Sequence, residues 1–138
     1  MATTPTNAAF LTAIQGITVT GVVKHFDYPP LSLNTGDLPA AFPLLPNAGQ
    51  GEPLATCISL SKTRNIQFVI CIEPVGQSVQ VLNYGKLTGL MDNLETKLDA
   101  LKDVIANFIE YDINTTTEFA VADINYWTIV ADVRARSG

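Results

Sequence analysis

The chain has 138 residues, enough for one domain with a real core, and 47% of them are hydrophobic. Charged residues make up only 15%, against about 25% in an average domain. The formal net charge of −5 argues against a sequence-independent nucleic-acid binder, which would show a basic face. No apolar run reaches the ~18–20 residues of a membrane span. The first ten residues, MATTPTNAAF, lack a charged region followed by an apolar core, so the chain is expected to be intracellular when made. With so little charge to cover its surface, it is expected to bury part of that surface against other subunits.

Thr6 or Asn7 can cap a short N-terminal helix whose apolar side is Ala9, Phe10, Ala13, Ile14 and Ile17, ending at Gly16. A strand rich in β-branched residues is predicted from Thr18 to Phe26. Tyr28 to Pro53 then holds six of the eight prolines, a density that argues against a helix interior or a central strand. Leu31, Leu33, Leu38, Phe42, Leu44 and Leu45 give this stretch the apolar weight that disordered linkers lack. It reads as an arm at residues 28–53, packed on its own domain or docked on a neighbour, with a mobile tip at Asn47–Gly51.

Two strands should follow. Thr56, Ile58 and Leu60 share one face of the first, and Ile66, Phe68, Ile70 and Ile72 one face of the second. Lys62–Asn65 reads as the turn of this hairpin, which sets Ile58 opposite Ile70 and Cys57 opposite Cys71. Val79, Val81 and Leu82 suggest a short strand. The longest signal comes next. Leu87, Met91, Leu94, Leu98, Leu101, Ile105 and Phe108 are spaced 4, 3, 4, 3, 4, 3, which aligns them on one side of an α-helix roughly 33 Å long. Asp92, Glu95, Asp99 and Asp103 fall on its solvent side. A second strand pair, Thr115–Val121 and Tyr126–Arg134, is predicted to turn at Asp123-Ile124-Asn125. The expected fold is α+β, one domain over 1–138: a mostly antiparallel sheet of 4–5 strands with the long helix and the short N-terminal helix on one face.

Catalytic machinery is not visible. Two cysteines fourteen residues apart and one histidine make no zinc pattern, and intracellular thiols are expected to stay reduced. His25 and Asp27 share a strand face and could form an acid–base pair, though such pairs are usually surface hydrogen bonds. Asp92, Glu95 and Asp99 read as a solvated face rather than a cation site. The expectation is therefore no enzyme, no cofactor and no metal.

The order of elements, with Asp27-Tyr28-Pro29-Pro30 and Asp37-Leu38-Pro39-Ala40-Ala41-Phe42-Pro43, resembles the tail terminator (tail-completion) proteins of long-tailed bacteriophages, of the lambda-type minor tail protein family. That resemblance implies a virion structural protein. It implies a homo-oligomeric ring, commonly a hexamer, at the head-proximal end of the tail tube, where it ends tube polymerisation and meets the head–tail connector protein. The partners would be copies of itself, the tail tube protein and the connector, with DNA passing through unbound and no membrane involved. The chain would be made in the host cytoplasm and end in the virion neck. On this reading Tyr28, Pro29, Pro30, Leu31, Leu38, Pro39, Phe42, Pro43, Leu44 and Leu45 are interface candidates. An exposed sheet edge is a further interface, and Asp92, Glu95 and Asp99 are channel-facing candidates. The alternatives are another neck or connector protein, a tail-tube protein, an adaptor that binds through its proline arm, or a small ligand-binding or enzymatic domain around His25 and Asp27.

Overall fold

A computed structural model describes residues 6–45, 47–53, 60–75, 80–105 and 108–136. Among these the chain is α+β, in the order α1 (Asn7–Gln15), β1 (Lys24–His25), a 3-10 turn (Thr35–Asp37), β2 (Ala40–Pro43), β3 (Asn47–Pro53), β4 (Leu60–Pro74), α2 (Gln80–Ile105), β5 (Phe108–Val121) and β6 (Ile124–Arg136). The strands form one sheet in the order β1-β2-β4-β6-β5, with β3 beside the first half of β4. The sheet is mixed rather than mostly antiparallel, because β1 joins β2 in parallel. The other pairings are antiparallel.

The organising strand is β4. Its alternation sends Ile66, Phe68, Ile70 and Ile72 into one apolar cluster and Val69 and Cys71 into another, so both its faces are covered. The first cluster holds Phe10 and Ile14 of α1, Leu87, Leu90, Leu94, Leu98 and Leu101 of α2, and Ile129, Ala131 and Val133 of β6. The stripe read from the sequence is thus a core face over Leu87, Leu94, Leu98 and Leu101, with Leu90 added and Met91 half-buried. The helix begins earlier than the stripe suggests: Val81 and Leu82 lie in α2 rather than in a short strand. Phe108 lies in β5 rather than in the helix. In α1, Thr6 is the cap, its hydroxyl accepting the Ala9 N–H at 3.1 Å, and Ala9 itself is exposed.

The expected hairpin around Lys62–Asn65 does not form. Those residues run straight through β4, and the antiparallel partner comes from upstream, with Ala41 opposite Ile70 and Phe42 opposite Val69. On the other side β6 pairs with β4, setting Ile129 opposite Ile70 and Thr128 opposite Cys71. Cys71 is therefore flanked by Ala40 and Thr128. Thr56, Cys57, Ile58 and Val79 lie outside the described residues. Asn47–Gly51, read as a mobile tip, is the strand β3.

The segment Thr18–Phe26 forms only the two-residue strand β1. A turn interrupts it: the Val22 N–H donates to the Val19 carbonyl at 3.1 Å, with Gly21 at φ +97 in the left-handed region. Asn93 of α2 clamps this turn, its Nδ2 donating to the Thr20 carbonyl at 2.8 Å. The proline-dense stretch also yields a paired strand. Pro39 and Pro43 bracket β2, so the N–H groups of Ala40, Ala41 and Phe42 remain in its body. Phe26, Leu33, Leu38 and Leu44 pack with Phe42, Val69, Cys71 and Tyr126 on the second face of the sheet. That face is the home of the segment, which reads in large part as an arm folded on its own sheet.

Two glycines test these backbone constraints with opposite signs. A Cβ on Gly21 would meet Leu90 Cδ2 at 3.0 Å in a conformation that L-residues avoid. A Cβ on Gly89, inside α2, meets nothing within 4 Å. Gly21→Ala is expected to cost about 1–3 kcal/mol, and Gly89→Ala to add about 0.5–1 kcal/mol. Urea denaturation of both variants checks the pair.

Candidate functional site

Two surfaces of the chain are chemically distinctive. At one edge, β5 pairs with β6 and with no other described strand, so one rim of a fourteen-residue strand is left without sheet partners. Between this strand and α2 opens a groove of about 820 Å³. Its apolar lining is Tyr84, Leu87, Met91, Ile113 and Trp127, and a run from Asn114 to Glu118 supplies the polar rim. Tyr84 and Trp127 stand edge-to-face, ring centroids 5.9 Å apart at 74°, and Tyr84 is 56% exposed. The groove walls are tied together. The Tyr111 hydroxyl of β5 donates to Asp99 Oδ1 of α2 at 2.7 Å, and this bond pushes the phenol's pKa up to about 12. At the other end of the helix, Lys86 pairs with Glu73 at the end of β4.

Further along β5 the charges are arranged around one arginine. Asp112 and Asp132 stand directly opposite each other across β5 and β6, a repulsive placement. Arg134 sits between them, donating from Nη2 to Asp112 (2.8 Å) and from Nη1 to Asp132 (3.2 Å), with Glu110 3.7 Å from its Nε.

The stretch from Val23 to Leu45 carries uncovered apolar side chains. Leu31 is 96% exposed, Leu45 84%, Tyr28 73% and Val23 63%. The interface candidates therefore divide. Tyr28, Pro29, Leu31 and Leu45 are on the surface, and Pro30, Leu38, Pro39 and Leu44 are half-buried. Phe42 and Pro43 are buried in their own fold and are not available to a neighbour, both pairing with β4 and Phe42 packing in the second cluster. Asp92, Glu95 and Asp99 are all exposed along one side of α2, with Asp99 engaged by Tyr111.

His25 and Asp27 are not brought together as an acid–base pair by the bonds they make. His25 Nε2 accepts the Val19 N–H at 3.0 Å, which places the ring proton on Nδ1. The Asp27 carbonyl accepts from Gln15 Nε2 at 2.8 Å. Cys71 is buried, and burial pushes its thiol up to about 11, far from a reactive thiolate. Among the described residues no group of three His, Cys, Asp or Glu side chains could hold a metal ion, and no helix is long and apolar enough to cross a membrane.

No family model matches the chain, and no curated protein matches it. The groove was not among the sites read from the sequence. One signal for it was present: stepping back three residues from Leu87 along the helical stripe reaches Tyr84.

The Val19–His25 bond has a pH signature. Burial lowers the His25 pKa below its usual 6.5, so as pH falls the unfolded chain binds the proton first and folded stability drops. The loss begins near pH 6.5 and levels off once the folded imidazole also protonates. His25→Gln is expected to flatten that part of the stability profile relative to the wild type, read by thermal denaturation between pH 7.5 and 5 in ~0.5-unit steps.

Proposed function

We propose that the chain is a structural subunit of a long-tailed phage particle, a tail terminator that forms a ring at the head-proximal end of the tail tube. The observation that carries this reading is the presence of two unlike surfaces. Among the described residues β5 offers a rim without sheet partners beside a groove, and the stretch from Val23 to Leu45 carries uncovered apolar side chains. Two different surfaces on one subunit suit a head-to-tail contact, which generates a ring if the rotation closes. Low charge content suits surfaces destined for permanent burial. The ring size of six comes from the resemblance described above.

In this reading both helices lie together on one face of the sheet, which leaves the edges for neighbours. The tail tube protein and the head–tail connector meet the two rims of the ring. The exposed carboxylates Asp92, Glu95 and Asp99 face the channel, where a like-charged wall lets DNA slide without binding. The alternatives are a tail-tube subunit or another neck protein using the same surfaces. It differs in stacking without limit or in standing on the head side.

Electron microscopy of the particle decides among these. A single ring at the head-proximal end of the tube is the expected result. The chain repeated along the tube would replace the terminator reading with the tube reading. The channel assignment has its own test. Replacing Asp92 and Glu95 together by lysine, with Asp99 kept to accept the Tyr111 hydroxyl, is expected to leave ring formation intact and to lower DNA ejection by about tenfold or more, through attraction of DNA to the wall. Unchanged ejection would remove these residues from the channel.

A further inference from the structure

We infer that the Val19–His25 bond is a proton-operated latch: when the imidazole takes up a proton, β1 lets go of the Val19–Val22 turn while the rest of the fold stays closed. The protonated folded chain is thus a distinct conformer, with the histidine ring out of the bond and the Val19 N–H open to water.

The chemistry of the bond comes first. His25 Nε2 accepts the Val19 N–H at 3.0 Å in half-buried surroundings. A neutral imidazole has one nitrogen free to accept, and an imidazolium has none, since both nitrogens then carry protons. Protonation therefore sets two donors against each other. A half-buried N–H that faces another donor is unfavourable, and the contact parts. Turning the ring over does not restore it, because the other nitrogen also presents a proton. Burial lowers the His25 pKa from its usual 6.5, so the latch is closed at neutral pH.

The two sides of the latch are unequally held. On one side, Ile17 and Val19 are buried in the main core. The turn after them is closed by the Val22 N–H on the Val19 carbonyl, and Asn93 of α2 holds the Thr20 carbonyl. On the other side, β1 is two residues long and pairs, among the described strands, with β2 alone. Its flanks rest on the Val23 N–H donating to the Pro39 carbonyl and the Phe26 N–H donating to the Ala41 carbonyl, both at 2.8 Å. The side that yields is therefore the His25 ring, with β1 next to loosen. Local openings draw on the least-held segments of a fold.

The charges around the ring are of both signs. β1 itself carries Lys24, whose Nζ lies 5.4 Å from the centroid of the Phe26 ring, and Asp27 follows. α1, the Gly16–Val23 stretch and β2 contain no acidic or basic side chain. The 3-10 turn brings Asp37, whose Oδ2 accepts the Asn34 N–H. From α2, Asp92 flanks Asn93, and Lys97 lines the crevice beside Ile17 and Thr18. Burial, rather than any one of these charges, is what shifts the ring.

Amide hydrogen exchange of the full chain reads the latch, followed by NMR from about pH 7.5 to 5 and corrected for the intrinsic pH dependence of exchange. As His25 titrates, protection of the Val19 amide is expected to fall about tenfold or more, while the amides of β4 keep theirs. At the neutral end, the imidazole nitrogen shifts are expected to place the ring proton on Nδ1. In His25→Gln, the side-chain carbonyl can accept the Val19 N–H and does not titrate, so Val19 protection is expected to stay level across the range. Val19 protection that holds steady while the wild-type ring protonates would overturn the latch, and so would a neutral ring with its proton on Nε2. Equal losses at Val19 and along β4 would also overturn it, because they mark unfolding of the whole domain. Val19 protection that still falls with pH in His25→Gln would assign the response to another group and remove the latch as well.

Discussion

Burial of β4 on both faces is the constraint from which the remaining architecture follows. A strand exposed to water on one side can alternate apolar and polar residues. β4 instead places Ile66, Phe68, Ile70 and Ile72 on one face and Val69 and Cys71 on the other, so it needs two covering layers. Each such side chain gains about 1.5–3 kcal/mol from full burial. The first cluster includes Phe10 and Ile14 of α1 and Leu87, Leu90, Leu94, Leu98 and Leu101 of α2. The second comes from the proline-dense segment, through Phe26, Leu33, Leu38 and Leu44. That is why a segment with so many prolines is tied into the sheet: its leucines complete the core of the strand they lie beside.

The polar interactions hold these layers in register. Asn93 pins the Thr20–Gly21 turn to α2, Tyr111 links α2 to β5 through Asp99, and Lys86 joins the start of α2 to the end of β4. All are at or near the surface, where a single hydrogen bond adds about 0.5–1.5 kcal/mol. Their value is geometric. They fix α2 against the Thr20–Gly21 turn, β4 and β5, and the Tyr111–Asp99 bond holds the two walls of the groove together. Among the described residues Thr128 is the fully buried polar side chain, and it is satisfied locally, its hydroxyl donating to the Tyr126 carbonyl at 2.9 Å.

Much of this was legible where one residue pattern dominated. The apolar spacing from Leu87 to Leu101 reported the core face of α2, because a helix of that length has one way to bury it. The alternation of Ile66 to Ile72 likewise reported a strand face. What failed were pairings between distant segments. Lys62–Asn65 contains polar residues that suit a turn, yet β4 continues through them because β3 and β6 satisfy its backbone on both sides. The closing hairpin was placed one residue late for a related reason. Its turn is Ala122-Asp123, at φ 52 and 65, and alanine gives no hint of a left-handed position. At the sites, the exposed members of the proline stretch were found along with the buried ones, since sequence alone does not say which side of a leucine-rich segment faces its own sheet. The groove was missed because it arises between elements far apart in the chain, with Tyr84 on α2 and Trp127 on β6.

The rim of β5 has a consequence for the chain at high concentration. A long strand with open backbone groups is a template for zipping onto identical strands, which leads to fibres. This one carries Glu110, Asp112 and Glu118, and its ladder with β6 slips between Thr116 and Phe119. Two copies aligned rim to rim would confront carboxylate with carboxylate, and the irregular stretch would break their match. The strand is thereby a poor partner for itself, so copies of the chain can accumulate without zipping into fibres.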